Sequence, residues 1–363
     1  MSAVRSRPTP LKLPSIVAGV FFIHPMAPKV SIVILNYNTR HFLEKFLPAV
    51  LATNYPNFEV VVADNASPDD SVAFVKSNFP AVKVIELDTN NGFAGGYNKA
   101  LQHNHTEYLV LLNSDVEVPE NWLQPLIDLA ESDSNIAAVQ PKLIDFKDKT
   151  KFEYAGGSGG FIDKYGYPFC RGRWFNFLES DTQQYDDSRE IFWASGACFL
   201  IKSKYWHEAG GLDEDFFAHM EEIDLCWRLK NAGYKIMVCP QSVVYHVGGG
   251  TLPVGNPRKT YLNFRNGLLL LIKNLHKSQL WRVLFIRLVL DGVAGVKFLT
   301  EFKFREIAAI LRAHFFLYRH LSYWLKKRKT VPNQQEHPSG MYQKSIVFDF
   351  YLKGKRRFSQ TEL

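Results

Sequence analysis

A chain of 363 residues that is 46% hydrophobic can bury one large core and carry an appendage. Its four cysteines, Cys170, Cys198, Cys226 and Cys239, form no Cys-x-x-Cys pair, which excludes a disulfide-stapled scaffold and fits a reducing cytosol. The net charge of +7 is unevenly spread: residues 1–257 carry 22 Lys+Arg against 30 Asp+Glu, residues 258–363 carry 21 against 6, and that basic third holds no nucleic-acid motif.

Residues 1–28 differ in character from the rest of the chain. Ser15–Ile23 is too short to span a membrane, and the preceding basic, proline-containing run lacks a cleavage site. Because Met26-Ala27-Pro28-Lys29 directly precedes the first strand, residues 1–28 are expected to be a disordered leader or an extension upstream of a start at Met26. Val30–Leu35 then reads as a strand by its β-branched content, stopped by Asn36-Tyr37-Asn38. The helix after it has Thr39 as N-cap and apolar residues at helical spacing from Phe42 to Leu51. Phe58–Ala63 is the second strand, ending in Asp64. Ser67-Pro68-Asp69-Asp70 reads as an N-cap, a proline at the first helical position and acids in the first turn. Val82–Leu87 leads into Asn90-Asn91-Gly92-Phe93-Ala94-Gly95-Gly96, and Glu107–Asn113 is a fourth strand. Four alternations of strand and helix predict a mostly parallel sheet with covered faces.

The fourth strand ends in Asn113-Ser114-Asp115, delivering oxygen atoms to the carboxyl edge where open α/β sheets bind ligands. A carboxylate beside a carbonyl oxygen suits a hard cation such as Mg²⁺ or Mn²⁺ against a diphosphate. Asn and Asp also simply end strands. Asp64 falls at the same edge, where it can accept from a nucleobase or ribose, or serve as the Asx-turn partner of Ser67.

Val30–Asn38, Asp64-Asn65-Ala66-Ser67, Asn91–Asn98 and Asn113-Ser114-Asp115 together resemble the family 2 inverting glycosyltransferases, in particular the bacterial rhamnosyltransferase-like branch. The resemblance runs from about residue 29 to about residue 275. It implies a GT-A fold, a nucleotide-diphosphate sugar donor and a divalent cation, Mg²⁺ or Mn²⁺, at the Asp-x-Asp position. On the matching positions it implies donor contacts from Asn38, Asp64, Asn91, Gly92, Phe93, Asn98, Asn113 and Asp115. Asn113 replaces the first acid of that motif, leaving Asp115 as the cation ligand.

In the second half, Trp193–Ile201 is an apolar strand broken by small residues that permit a close approach. Met220-Glu221-Glu222-Ile223-Asp224 starts a helix whose acids, by dipole alone, would need no further role; Gly233 ends it. The resemblance assigns Glu222 as general base, Glu221 as its neighbour that shapes the environment, and Asp224 as a helix anchor. A base is what the reaction needs, since an acceptor hydroxyl is a poor nucleophile at neutral pH. Tyr245-His246 ends another strand before the glycine run Gly248–Gly250. Histidine there is commonly structural, but the resemblance implies that His246 completes the cation site with Asp115.

The basic third is rich in Phe, Leu, Trp and Tyr, without a charge-free stretch long enough to cross a membrane. Within Leu280–Leu299, Arg282, Arg287, Asp291 and Lys297 fall on about half the circumference. Arg305, Arg312, Arg319 and Lys326 recur every seven residues beside Phe315, Phe316, Leu317 and Trp324, the pattern of a helix at an anionic membrane surface or of a subdomain with a solvated basic face. Residues 331–363 read as a weakly structured basic tail.

The expected architecture is therefore α/β of the GT-A type. A catalytic domain spans 29–257, with a donor half at 29–145 and an acceptor half at 146–257, followed by a basic amphipathic helical region at 258–330. The expected function is transfer of one sugar, with inversion, from a nucleotide-diphosphate sugar to a lipid-linked or cell-surface polysaccharide acceptor in cell-envelope biosynthesis. The resemblance favours deoxythymidine-diphosphate rhamnose; UDP- and GDP-sugars and a non-catalytic binding protein are the alternatives. The expected location is cytoplasmic, peripheral on the inner face of the cytoplasmic membrane. A nicotinamide dehydrogenase or a nucleotidyltransferase would need a glycine-rich loop after the first strand, where Asn36-Tyr37-Asn38 stands. A processive synthase would need spans and a Gln-x-x-Arg-Trp sequence, and neither is present.

Overall fold

The computed structural model describes residues 27–248, 256–331 and 333–363. The expectations for the leader up to Met26 and for Gly249–Thr251 lie outside the described residues.

The chain alternates as expected through its first third: β1 (Val30–Asn36), α1 (Arg40–Leu51), β2 (Phe58–Asp64), α2 (Ser71–Asn78), β3 (Lys83–Glu86), α3 (Gly92–Leu101) and β4 (Tyr108–Asn113). β4, β1, β2 and β3 lie side by side and parallel, as buried apolar strands joined by crossover helices must. Register then fixes the edge. Asn36 lies opposite Asp64 and Leu35 opposite Asn113, so three polar residues end their strands at one level.

β5 (Val116–Glu117), α4 (Leu123–Glu131) and β6 (Ile136–Asp145) come next, then a meander of β7 (Gly160–Asp163), β8 (Pro168–Cys170), β9 (Arg173–Trp174) and β10 (Phe177–Leu178). β11 (Arg189–Ile191), β12 (Cys198–Lys202), α5 (Ser203–Glu208), α6 (Glu221–Asn231) and β13 (Lys235–His246) complete a nine-stranded sheet in which β12 runs antiparallel between β4 and β6. β13 runs parallel to β6, and its last residue, His246, faces Val116 of β5. That pairing returns the end of β13 to the edge formed by β1, β2 and β4.

α7 (Pro257–Asn274), α8 (Leu280–Thr300) and α9 (Phe304–Arg328) form the C-terminal helical layer. Leu268–Ile272 of α7 are fully buried in the same apolar cluster as Phe161, Phe199 and Trp227, so this layer shares the core of the sheet.

Three expectations change. Ser67 does not cap α2, which starts at Ser71; its hydroxyl accepts from the Asn36 amide (3.0 Å) and the Asn38 N–H (2.9 Å) at the sheet edge instead. Arg287 and Asp291 are not on a solvated face. They are buried and paired at 2.8 Å, and Arg287 also donates to the Tyr165 carbonyl (3.0 Å) and stacks over Tyr167 (3.8 Å), which satisfies both charges inside. The tail is structured: β14 (Met341–Tyr342) adds parallel to β7, α10 (Ile346–Tyr351) succeeds it, and Phe358 is buried against Phe161. Its basic residues surround apolar anchors that composition alone hides.

Candidate active site

The carboxyl edge is a hydrogen-bonded frame. Asp64 is buried, accepting from the Asn36 amide (2.8 Å) and the Ser67 N–H (2.9 Å), so the turn-partner role holds for this residue. Asn36 in turn accepts from the Thr39 hydroxyl (2.6 Å), which lies 2.9 Å from Ser114. Thr39 is the N-cap residue of α1 as expected, but its side chain ties the first strand to the Asn-Ser-Asp segment instead of making a capping hydrogen bond. Asn65, to which the sequence pattern assigned no role, donates to the Gly92 carbonyl (2.9 Å) and accepts from the Asn91 N–H (2.9 Å), setting the turn into α3. Gly92 sits at φ +68°, and a Cβ there would lie 2.8 Å from the Phe217 carbonyl oxygen, so the position requires glycine.

Beneath this edge lies a cavity of about 490 Å³. Asn113, Asp115, Glu222 and His246 all line it, from three segments far apart in sequence. Asn38, Asp64, Asn91, Gly92, Phe93 and Asn98 are not among its lining residues. Asn98 instead holds the loop at Leu212 through both its amide and its oxygen (2.8 and 2.9 Å). Phe93 packs toward Gly196, where a Cβ would come 3.2 Å from its ring and 3.9 Å from the Glu222 carboxyl carbon. The small residues before β12 make room for these two side chains.

Asp115 and His246 meet at 3.1 Å through Oδ1 and Nε2, and the Val247 N–H donates to the Asp115 carbonyl at 3.0 Å. The other imidazole nitrogen, Nδ1, lies 3.1 Å from Glu153 Oε1, and Glu153 is buried. Burial opposes charge on the ring, but the Glu153 and Asp115 carboxylates override it and hold the imidazole pKa up to about 10. The negative charge that retains this proton is the charge a divalent cation would meet. No group of three His, Cys, Asp or Glu side chains converges on one point among the described residues. Asp115 and Nε2 alone converge, with Glu153 behind the ring, the usual orienting partner of a ligating histidine. Such a two-ligand set suits a hard cation that takes its remaining oxygens from a diphosphate and water. Glu153 carried no sequence signal, because it acts through His246 from a loop of another segment.

The acidic pair divides by outlook. Both carboxyls have a buried Oε2 with no protein partner, but only Glu222 lines the cavity, whereas Glu221 is buried away from the lining. Desolvation pushes the Glu222 carboxyl up to about 7, and it raises Glu221 well above the ordinary carboxylate range, with the Glu222 charge adding to that. A carboxyl near 7 without a partner is suited to taking a proton at neutral pH.

The backbone delivering this pair is strained. Phe217, His219 and Met220 have φ of 63°, 70° and 73°, a region side chains avoid. One buried amide restrains them: Asn266 of α7 donates to the carbonyls of Phe216 (3.1 Å), Ala218 (2.9 Å) and His219 (2.6 Å). Asp224 anchors the next turn, taking Arg228 and Lys273 at 2.8 Å each and the Asn274 amide at 2.8 Å. Burial works against its charge, yet Arg228 and Lys273 bring its pKa down to about 2. Arg173 and Lys259 add positive charge to the cavity wall, and Tyr154, Tyr167, Phe175, Trp193 and Phe264 add apolar surface.

Residues 31–208 match the model of Glycosyl transferase family 2. The chain is 25% identical over 238 residues to the N-acetylglucosaminyl-diphospho-decaprenol L-rhamnosyltransferase of Mycobacterium tuberculosis, covering 61% of this chain and 76% of that one. It is 24% identical over 295 residues to the low-salt glycan biosynthesis hexosyltransferase Agl10 of Haloferax volcanii, covering 78% and 89%. The mannosyltransferase PcManGT of Pyrobaculum calidifontis, solved with GDP-Man and Mn²⁺, superposes with a TM-score of 0.50 at 16% identity, over 84% of this chain and 85% of that one. GalNAc-T7, solved with UDP, GalNAc and Mn²⁺, superposes with a TM-score of 0.54 at 17% identity over 69% of this chain; only 49% of that longer protein is covered. At these identities the superpositions speak for the fold.

Proposed function

The chain carries a family 2 glycosyltransferase domain on a GT-A fold, and from that premise we propose that it transfers one sugar, with inversion, from a nucleotide-diphosphate sugar to a lipid-linked acceptor. The observation that carries this reading is the Glu222 carboxyl, its Oε2 without a protein partner, on the same cavity as Asn113, Asp115 and His246.

In this reading Glu222 accepts the proton of the acceptor hydroxyl as that oxygen bonds to the anomeric carbon. The bond from that carbon to the diphosphate oxygen breaks on the opposite face, which inverts the centre. A direct displacement of this kind needs one carboxylate base and no second acid. Asp115 and His246 would hold Mg²⁺ or Mn²⁺, which neutralises charge on a diphosphate when bound. Arg173 and Lys259 face the same volume and add to that neutralisation. The aromatic wall excludes water that would otherwise hydrolyse the donor.

Deoxythymidine-diphosphate rhamnose is the leading donor, supported by the motif resemblance and by the rhamnosyltransferase relative. The same relative supports a lipid-diphosphate acceptor, and hence a peripheral position on the inner face of the cytoplasmic membrane. No helix among the described residues is long and apolar enough to cross a membrane.

The test is a panel of dTDP-, UDP- and GDP-sugars with Mn²⁺ or Mg²⁺, read first by thermal shift and then by transfer to a lipid-diphosphate analogue. One donor should both stabilise the protein and be consumed. Stabilisation without transfer or donor hydrolysis, with either cation, would favour a binding protein of the same fold.

A further inference from the structure

Outside the cavity, α8 has two unlike faces. Leu280, Val283, Leu284, Arg287 and Asp291 turn inward, while Trp281, Phe285, Val289, Val293, Val296 and Leu299 are exposed. At about 100° per residue these six fall within one third of the circumference. Beyond Asp291 no residue of α8 is fully buried, and its last turns touch α9 and, through Lys297, Tyr351 of α10 (3.4 Å). Phe302 (79% exposed) and Phe304 carry the apolar surface around the turn, and Leu311, Phe315 (67% exposed) and Tyr318 continue it along α9. The two helices pack closely, a Cβ on Gly295 lying 4.0 Å from Ile310. Single exposed apolar residues are ordinary, but a continuous stripe over two neighbouring helices is not.

The charge around the stripe identifies what covers it. Arg305, Arg312 and Arg319 are exposed and fall within roughly a quarter turn of the α9 stripe. Arg282, exposed in the first turn of α8, lies within the stripe, and Lys297 borders it. Of the two acids nearby, Glu301 is occupied by Lys303 at 2.6 Å. A second copy of the chain would set these cations against one another, whereas an anionic lipid surface satisfies both the cations and the apolar face.

We propose that the α8–α9 hairpin is a membrane-inserting element, its apolar outer face entering the acyl boundary of an anionic bilayer while the flanking arginines bind lipid phosphates. This rests on the reading of a lipid-linked acceptor. It goes beyond electrostatic attachment, because it assigns part of the affinity to apolar burial that salt does not screen. The inner face of the same helix supplies Arg287 to the cavity, so bilayer and cavity lie on opposite sides of one helix.

The test is co-sedimentation with equimolar phosphatidylcholine–phosphatidylglycerol vesicles at low and high salt. It compares wild type with the triple variant Phe285→Ser, Val293→Ser, Phe302→Ser. All three side chains are exposed, so the thermal midpoint and transfer to a soluble acceptor analogue should be unchanged, which controls for folding. The triple variant should partition on the order of a hundredfold more weakly at both salt concentrations. Wild type should keep measurable binding in high salt. Equal partitioning of the two proteins, or complete release of wild type by salt, would overturn the proposal. So would a dimer in solution that the triple variant abolishes without altering vesicle binding. Loss of vesicle binding leaves the assigned reaction standing; a vesicle-bound protein that transfers nothing to a lipid-linked acceptor would instead refute the reaction and leave the insertion intact.

Discussion

Glu222 and Glu221 are chemically identical neighbours that the fold sets in different surroundings, one on the cavity and one away from it. Glu222→Gln should retain donor and cation affinity while transfer falls by about two to four orders of magnitude, the usual contribution of a general base. Glu221→Gln should cost less; the reverse ranking would shift the base by one residue. In the proposed mechanism the deprotonated Glu222 is the active form, and burial holds its carboxyl up to about 7, so wild-type kcat/KM should rise with pH below that value and level off above it. The Gln variant's residual rate should lose that limb. At the other end of the cavity, Asp115→Ala should abolish cation-dependent donor binding. Asp64→Ala should weaken the nucleotide through the disturbed Asn36–Ser67 frame, leaving the dependence on Mn²⁺ unchanged in titrations of donor analogue. Equal loss of cation dependence in both variants would contradict that division.

Among the elements, α6 and α7 act as a clamp on the strained segment before Glu221. Removing the Asn266 amide takes the donor from the Ala218 and His219 carbonyls, while the Phe216 carbonyl keeps Arg265 (2.8 Å), so Asn266→Ala should destabilise the protein by about 1–3 kcal/mol. It should also lower kcat more than it raises KM, since the base is displaced while the donor contacts remain. A variant with unchanged kcat would reduce Asn266 to a packing role. Asp224 contributes to the same clamp through buried charge. Asp224→Asn leaves Lys273 and Arg228 with less compensation and should cost about 3–5 kcal/mol in urea unfolding. Asp224 has a folded pKa of about 2, below its ordinary value. Its stabilisation is therefore present above about pH 4 and lost as pH falls toward 2, a loss the Asn variant should not show.

For the whole molecule, charge is split between a net acidic first two thirds and a basic last third, and the proposed membrane contact draws on the basic third. Replacing Arg305, Arg312, Arg319 and Lys326 with Gln should weaken binding to anionic vesicles by about 4 kcal/mol at low salt, at roughly 1 kcal/mol per cation. High salt should narrow the gap from wild type, because the attraction decays over about 8 Å at physiological ionic strength. Identical sedimentation at low salt would make the four cations a solvated face.

Local pattern determined the alternating first third, the carboxyl edge with Asp64, Asn113 and Asp115, and the acidic helix start with Glu222. Each is legible because strand period, turn chemistry and terminal acids are properties of a few consecutive residues. Tertiary structure decided the rest. Glu153 and Asn266 touch the site only across long sequence separations, and the resemblance's choice of Glu222 over Glu221 gains its physical reason only from which carboxyl the helix turns toward the cavity. Ser67 was drawn from capping to the sheet edge by Asn36 and Asn38, and the Thr39 side chain by Asn36 and Ser114. Arg287 and Asp291, a charged face by composition, fold inward because Tyr165, Tyr167 and each other satisfy them, and that inversion leaves the apolar face of α8 outside. Charge and hydrophobicity are written in the sequence; which side of a helix faces solvent is settled by the partners that folding brings to it.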